Sequence, residues 1–345
     1  MSFTPSPIHC EVDLDADGKH NGFLRLPHSV HRSAYGWIPI PIVSIKNGEG
    51  PTAVLMAGNH GDEYEGQVAL SALARDLDET RIQGQLIILP MANFPAAKAG
   101  TRTSPLDDGN LNRSFPGDPA GTPTKVIAHY VESELLNRAD YLLDIHSGGS
   151  SLMYTPSALM TIDPMLDQHE ANLALLRALG FPQALLFESD DKGSYSSSAA
   201  KRQDAIAVTL EVAGGGAITP SALVLLKSAL QRYLHHIGVT ADIDPQDLFG
   251  DESSKYTLRY QTGFFLVSGT DNYCYAYEEG LFEPIATLGD DVVAGQQVAQ
   301  IHFPSTPWRT PEIVSVQAGG RIMSMRVPSM VQRGDCLYEI AMKAT

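Results

Sequence analysis

Three short apolar runs in this chain each stop at a residue able to bind a metal or move a proton. Residues 53–57 lead into Gly58-Asn59-His60-Gly61-Asp62-Glu63, residues 141–145 into His146, and residues 205–210 into Glu211. Runs of this length and composition predict buried strands. Between them lie stretches with helical spacing, such as Val68, Leu70, Leu73, Ala74 and Leu77 within 65–77. Strands alternating with helices imply an α/β sheet with helices on both faces. Ligands of such sheets bind beyond the carboxyl ends of the strands. His60, Glu63, His146 and Glu211 are therefore expected at one edge.

His60 and Glu63 stand three residues apart, so a turn or a first helical turn puts both on one side. Imidazole and carboxylate both suit zinc. His146, in Asp144-Ile145-His146-Ser147-Gly148-Gly149, completes a His₂Glu set. Three protein ligands leave zinc an open fourth position, the pattern of a catalytic site. Such a set also suits other first-row metals. Asp144 shares a strand face with His146; it either orients that ligand from behind or serves as a cap or solvent-facing acid.

A bound zinc lowers the pKa of a water to roughly 7. A carboxylate is still useful to take that proton and hand it to a leaving amine. Glu211, followed by Gly214-Gly215-Gly216, is the candidate; the plain alternative is a surface glutamate at a strand end. Gly100-Thr101-Arg102-Thr103 and Gly109-Asn110-Leu111-Asn112-Arg113 carry two arginines. Arginine binds carboxylates bidentately. One arginine can hold a substrate carboxylate and another can polarise a carbonyl, though composition alone also fits solvated loop residues.

Along the chain, residues 1–35 read as a polar, irregular lead-in. Residues 38–45, with Pro39 and Pro41, read as an edge strand. A strand is expected at 86–89, then a long loop over 90–121 of the functional kind. Helices follow at 125–136, 164–179 and 221–235, with a strand at 184–187. The texture changes at a linker near 240–255. Short β-like runs broken by Gly-Asp and Pro turns fill 256–341. The division is a hydrolase-like domain, 1–245, and a small β domain, 255–345.

A net charge of −16 argues against non-specific nucleic-acid binding; its plain meaning is solubility. No run approaches membrane-spanning length, and no signal peptide is visible. Cys10, Cys274 and Cys336 are too few and too scattered for a disulfide framework or a cysteine zinc finger. A reducing cytoplasm is the expected compartment.

These motifs resemble, in order, those of the succinylglutamate desuccinylase/aspartoacylase family, which belongs with the zinc carboxypeptidases. The resemblance is carried by His60-Gly61-Asp62-Glu63, Asn110-Leu111-Asn112-Arg113-Ser114-Phe115-Pro116-Gly117, Asp144-Ile145-His146-Ser147-Gly148 and Glu211, and runs over roughly residues 40–240. It implies an α/β fold with a zinc-carboxypeptidase-like mixed sheet flanked by helices, and one Zn²⁺ held by His60, Glu63 and His146. It further implies Glu211 as general base and then acid, Asn112 and Arg113 on the substrate α-carboxylate, and Arg102 on the carbonyl. The implied reaction hydrolyses the amide of a small N-acyl amino acid; a homo-oligomer is implied by resemblance only.

Phe23-Leu24-Arg25-Leu26-Pro27-His28-Ser29, Asn59-His60-Gly61-Asp62-Glu63-Tyr64-Glu65-Gly66 and Ala99-Gly100-Thr101-Arg102-Thr103-Ser104-Pro105 are similar to one branch, the N-α-acetyl-L-2,4-diaminobutyrate deacetylases of ectoine breakdown. That cationic substrate calls for a pocket carboxylate, with Asp107, Asp108, Asp190 and Asp191 as candidates. The tail segments Gly289-Asp290-Asp291-Val292-Val293-Ala294-Gly295-Gln296 and Gly320-Arg321-Ile322-Met323 look like the half-motifs of lipoyl/biotinyl domains. Between Ile301 and Ile313 there is no lysine to carry a cofactor. A lipoyl-like fold without carrier chemistry, acting as a cap or an oligomer contact, is expected. Two other functions remain in view: a carboxypeptidase acting on peptides, and a non-catalytic metal or small-molecule binding protein.

Overall fold

The structure is a computed structural model that describes residues 4–162, 169–188, 193–240, 248–249 and 259–344. Its strands begin with β1 (His9–Cys10), β2 (Gly18–Pro27), β3 (Trp37–Asn47), β4 (Thr52–Ala57), β5 (Gly84–Leu89) and β6 (Tyr141–His146). They continue with β7 (Leu152–Tyr154), β8 (Ser157–Ile162), β9 (Gln183–Glu188), β10 (Ile206–Glu211), β11 (Gly263–Val267) and β12 (Tyr273–Tyr275). The last are β13 (Gly280–Pro284), β14 (Asp291–Val292), β15 (Gln297–His302), β16 (Glu312–Ser315), β17 (Gly320–Arg326), β18 (Met330–Val331) and β19 (Cys336–Lys343). The helices are α1 (Tyr64–Asp76), α2 (Phe94–Ala99), α3 (Pro123–Tyr130), α4 (His169–Leu179), α5 (Ser196–Arg202) and α6 (Pro220–His236).

One mixed sheet organises the molecule, in the order β1-β2-β3-β5-β4-β6-β10-β8-β9-β11-β19-β17-β14. At its centre β5, β4, β6 and β10 run parallel. In β5, β4 and β6 the side chains are buried on both faces, as parallel strands under helices require, whereas Ala207, Thr209 and Glu211 of β10 are half-buried and face a cavity. In β4, Ala53, Leu55 and Ala57 join a core shared with α1, α4 and α6, whereas Val54 and Met56 join a second core with α3 and α5. Period-two alternation thus feeds two cores from one strand. The expected α/β class and flanking helices are present.

Several expectations are corrected. The lead-in is not irregular: β2 pairs with β3 along its whole length. Only Leu24 and Leu26 of β2 are buried, so its polar composition is that of a one-sided outer strand. The proline-bearing strand is an edge for half its length. Pro39 and Pro41 lie where β2 is the partner, and β5 joins only from Val43 onward; a residue without an N–H cannot donate to a second neighbour. The long loop 90–121 contains α2, bracketed by Pro95 in its first turn and left-handed Gly100 at its end. Strands β7 and β8 and the serine-rich helix α5 were not expected. The start of the helix expected at 164–179 lies partly outside the described residues.

Beyond residue 259 the chain is all-β, as expected. A four-stranded antiparallel sheet, β16-β15-β13-β18, packs around Val298, Ile301, Val314, Ile322, Leu337 and Ile340. This region is hydrogen-bonded into the main sheet: β11 lies parallel to β9 and antiparallel to β19, and β17 pairs with β7. Most of the linker expected near 240–255 lies outside the described residues.

Candidate active site

The β4–α1 turn is shaped by a close approach. A Cβ on Gly61 would stand 2.0 Å from the carbonyl of Ala96, so only glycine lets α2 pack there. The Gly61 N–H donates to Thr101 O at 2.9 Å, tying this turn to the segment that carries Arg102. His60 and Glu63 are both 3% exposed, as is His146 at the end of β6.

Glu63 stands between the two histidines. Its Oε1 lies 2.7 Å from His60 Nδ1 and its Oε2 2.8 Å from His146 Nδ1. The two Nδ1 atoms are 3.2 Å apart. Ligand atoms around a tetrahedral zinc lie roughly 3.3 Å apart, given zinc–nitrogen distances of ~2.0–2.1 Å. The opposite ring nitrogens are both engaged: His60 Nε2 with Asn110 Oδ1 at 3.1 Å, and His146 Nε2 with Asp144 Oδ2 at 2.9 Å. An Nε2–H donated to each acceptor leaves the Nδ1 lone pair turned inward, the tautomer a metal needs. The three side chains thus fit a divalent metal.

The charges agree with that geometry. Burial works against ionising Glu63, yet the charges and hydrogen bonds of His146 and His60 outweigh it and hold its carboxyl at about 2. Burial pushes the His60 pKa down. Burial also opposes a charge on His146, but Asp144 and Glu63 overcome it and raise its pKa well above the ordinary value. Two buried carboxylates aimed at one imidazole ask for positive charge at this point, which a bound metal cation would supply.

Glu211 ends β10 directly beside His146, its Cα partner in the parallel ladder. Its Oε2 is buried and, among the described residues, has no hydrogen-bond partner. Burial, then the charge of Glu63, raises its carboxyl well above the usual range. Arg102 stands at the rim, its side chain 47% exposed and its Nη1 3.6 Å from Glu63 Oε1. Asn112 and Arg113 form a short 3₁₀ turn with Leu111. Asn112 Oδ1 accepts the Ser196 N–H at 2.8 Å, which fixes the amide and leaves its NH₂ as a donor. The Arg113 guanidinium lies 4.6 Å from the Tyr195 ring centroid.

All seven of these residues line one cavity of about 490 Å³. Of the proposed acidic partners, Asp107 and Asp108 are not among its lining residues. Asp107 instead accepts from Thr124 N–H and Oγ1–H at 2.8 Å and so caps α3. Asp108 is exposed, in the left-handed region with φ 51°. Asp190 and Asp191 lie outside the described residues. Sequence reasoning missed Tyr154, Tyr195, Tyr273 and Glu339, which also line the cavity. Glu339 had a readable signal: a carboxylate in the middle of the apolar strand β19, where glutamate is seldom tolerated unless paired.

Residues 49–237 match the succinylglutamate desuccinylase/aspartoacylase catalytic domain. The chain is 39% identical over 339 residues to N-alpha-acetyl-L-2,4-diaminobutyric acid deacetylase of Halomonas elongata, covering 98% of this chain and 95% of that one. It superposes with a TM-score of 0.90 on the product-bound ectoine utilization protein EutE (DoeB) of Ruegeria pomeroyi, at 35% identity and 99% and 100% coverage. A succinylglutamate desuccinylase from Silicibacter sp. matches with a TM-score of 0.89 at 36% identity, with the same coverage. Fold, motifs and whole-length identity agree, and the chain belongs to the succinylglutamate desuccinylase/aspartoacylase family of amidohydrolases.

Proposed function

We propose that the chain is a zinc-dependent deacetylase of N-α-acetyl-L-2,4-diaminobutyrate, acting in the cytoplasm on a step of ectoine breakdown. The observation that carries the hydrolytic reading is the convergence of His60 Nδ1, His146 Nδ1 and the Glu63 carboxylate beside the unpartnered Glu211 Oε2. The substrate rests on the likeness to the deacetylase of Halomonas elongata. Zinc bound by His60, Glu63 and His146 would acidify a water and polarise the scissile carbonyl.

The chain's own groups do the rest. Asn112 and Arg113 hold the substrate α-carboxylate, the guanidinium fork kept in place by its stacking on Tyr195. Arg102, with its Nη1 near the ligand atoms, donates to the carbonyl oxygen as negative charge develops there. Glu211 takes a proton from the attacking water and delivers it to the amine nitrogen as the C–N bond breaks. Acetate and the free diamino acid leave.

A product assay tests this reading. The panel is N-α-acetyl-diaminobutyrate, N-acetylaspartate, N-succinylglutamate, neutral N-acetyl amino acids and short peptides, each with and without a chelator. Chelator-sensitive turnover of the diaminobutyrate compound alone is expected. Preference for N-acetylaspartate overturns the substrate, and C-terminal release from peptides overturns the deacetylase reading.

A further inference from the structure

The cavity holds three glutamates. Glu63 belongs to the metal set and Glu211 to proton transfer; Glu339 has no part in either. It reaches the cavity from β19, with Tyr273 from β12 and Tyr154 from β7 beside it. We infer that Glu339 is the receptor for a cationic side chain on the amino-acid half of the substrate, its carboxylate held in place by Tyr154 and Tyr273. This inference rests on the proposed deacetylase function and names the group that would select its substrate.

Glu339 is 3% exposed. The Tyr273 hydroxyl lies 3.4 Å from its Oε1, and the Tyr154 hydroxyl also donates to it. Among the described residues no lysine, arginine or histidine forms an ion pair with it. A buried carboxylate with hydroxyl partners alone is poorly compensated. Burial accordingly raises its pKa to about 7, with the two tyrosine hydrogen bonds working the other way. The charge of Glu339 also disfavours ionisation of Glu211. A cation placed between the two would favour both as carboxylates, including the one needed as base.

The arginines sit elsewhere. Arg102 and Arg113 come from the segment after α2, whereas Glu339 comes from β19. The lining thus offers guanidinium groups from one segment and a lone carboxylate from another. An amino acid with a free α-carboxylate and a short ammonium-bearing side chain matches both. An acidic side chain would meet Glu339 with a like charge, and an aliphatic one would leave it unpaired.

The test compares the metal-loaded wild type with Glu339→Gln and Glu339→Asp. The substrates are N-α-acetyl-diaminobutyrate, N-α-acetyl-ornithine and the neutral N-acetyl-2-aminobutyrate. Glu339→Gln keeps an acceptor for the tyrosines and removes the charge. Its ratio of kcat/KM for cationic over neutral substrate should fall by about 30- to 1,000-fold, mostly through KM. Glu339→Asp, which keeps the charge, should recover part of that ratio. An unchanged ratio in Glu339→Gln, or an equal loss on both substrate classes, overturns the inference and leaves the deacetylase reading intact. Wild-type enzyme that rejects the diaminobutyrate compound but takes acetyl-ornithine, with the ratio again lost in Glu339→Gln, overturns the proposed substrate and supports the role of Glu339. Failure of Glu339→Gln to fold moves the decision to Glu339→Asp, where a ratio equal to that of wild type with raised KM on both classes counts against it.

Discussion

Asp144 Oδ2 lies 2.9 Å from His146 Nε2, so the imidazole and the acid behind it are carried two residues apart on one strand. The same oxygen accepts from Asn59 Nδ2 and Ser196 Oγ. His146 is therefore held by a carboxylate whose own position is fixed from the β4–α1 turn and from α5. Asp144→Asn keeps the shape but weakens the acceptor and permits the wrong tautomer of His146. It should lower metal affinity about 10- to 100-fold. Competition with a chromogenic chelator measures this; unchanged affinity would assign Asp144 to packing alone.

Among the described residues Glu211 makes no hydrogen bond to His60, Glu63 or His146, so the proposed proton transfer and metal binding can be separated by mutation. Glu211→Gln should lose at least about 100-fold in kcat while retaining one metal per chain by elemental analysis. Loss of the metal together with activity would instead place Glu211 among the ligands.

Arg113 is braced against Tyr195 and is expected to bind by its planar fork. Arg113→Lys keeps the charge and loses the bidentate geometry and the stacking. KM should rise about tenfold or more with kcat nearly kept, as expected where binding is equal in ground and transition states. A fall in kcat at constant KM would move Arg113 from the carboxylate to the reacting carbonyl.

Glu339 should cost the empty protein stability in a defined pH window. Its carboxyl titrates near 7 when folded, against 4.5 unexposed to the fold. Below about 4.5 it is protonated in both states and the fold bears no penalty. As pH rises from there to 7 the unfolded chain loses its proton first, and stability falls by about 3 kcal/mol. Glu339→Gln should therefore match wild type at pH 4 and melt higher at pH 8. Equal melting points at both pH values would mean that water or another group reaches this carboxylate.

The centre of the fold was legible because β4, β6 and β10 are short apolar runs with chemical residues at their ends. Helices α1 and α6 likewise advertise themselves by periodicity. The outer strand β2 was not legible, since a strand with one buried face and several polar residues reads as a loop. Helix α5 was hidden by Ser196-Ser197-Ser198, whose hydroxyls favour caps and turns in isolation. His60, Glu63, His146, Glu211, Asn112, Arg113 and Arg102 could be named from sequence because each sits in a local motif, and they line one cavity. The pocket acid was sought in polar loops at Asp107 and Asp108, where charge is cheap. Glu339 stands in the middle of a strand, and only the pairing of β19 with β12 and β17 brings it to the cavity.

That placement gives the enzyme a built-in report of its own assembly. His60 and Glu339 are separated by about four fifths of the chain, and sites closed by such distant contacts are expected to form late, because long loops must be ordered first. A folding intermediate with β4, β6 and β10 in register, but β19 not yet docked on β11, would already bring His60, Glu63 and His146 together and would lack one cavity wall. Refolding followed by metal binding should therefore run ahead of refolding followed by selective turnover.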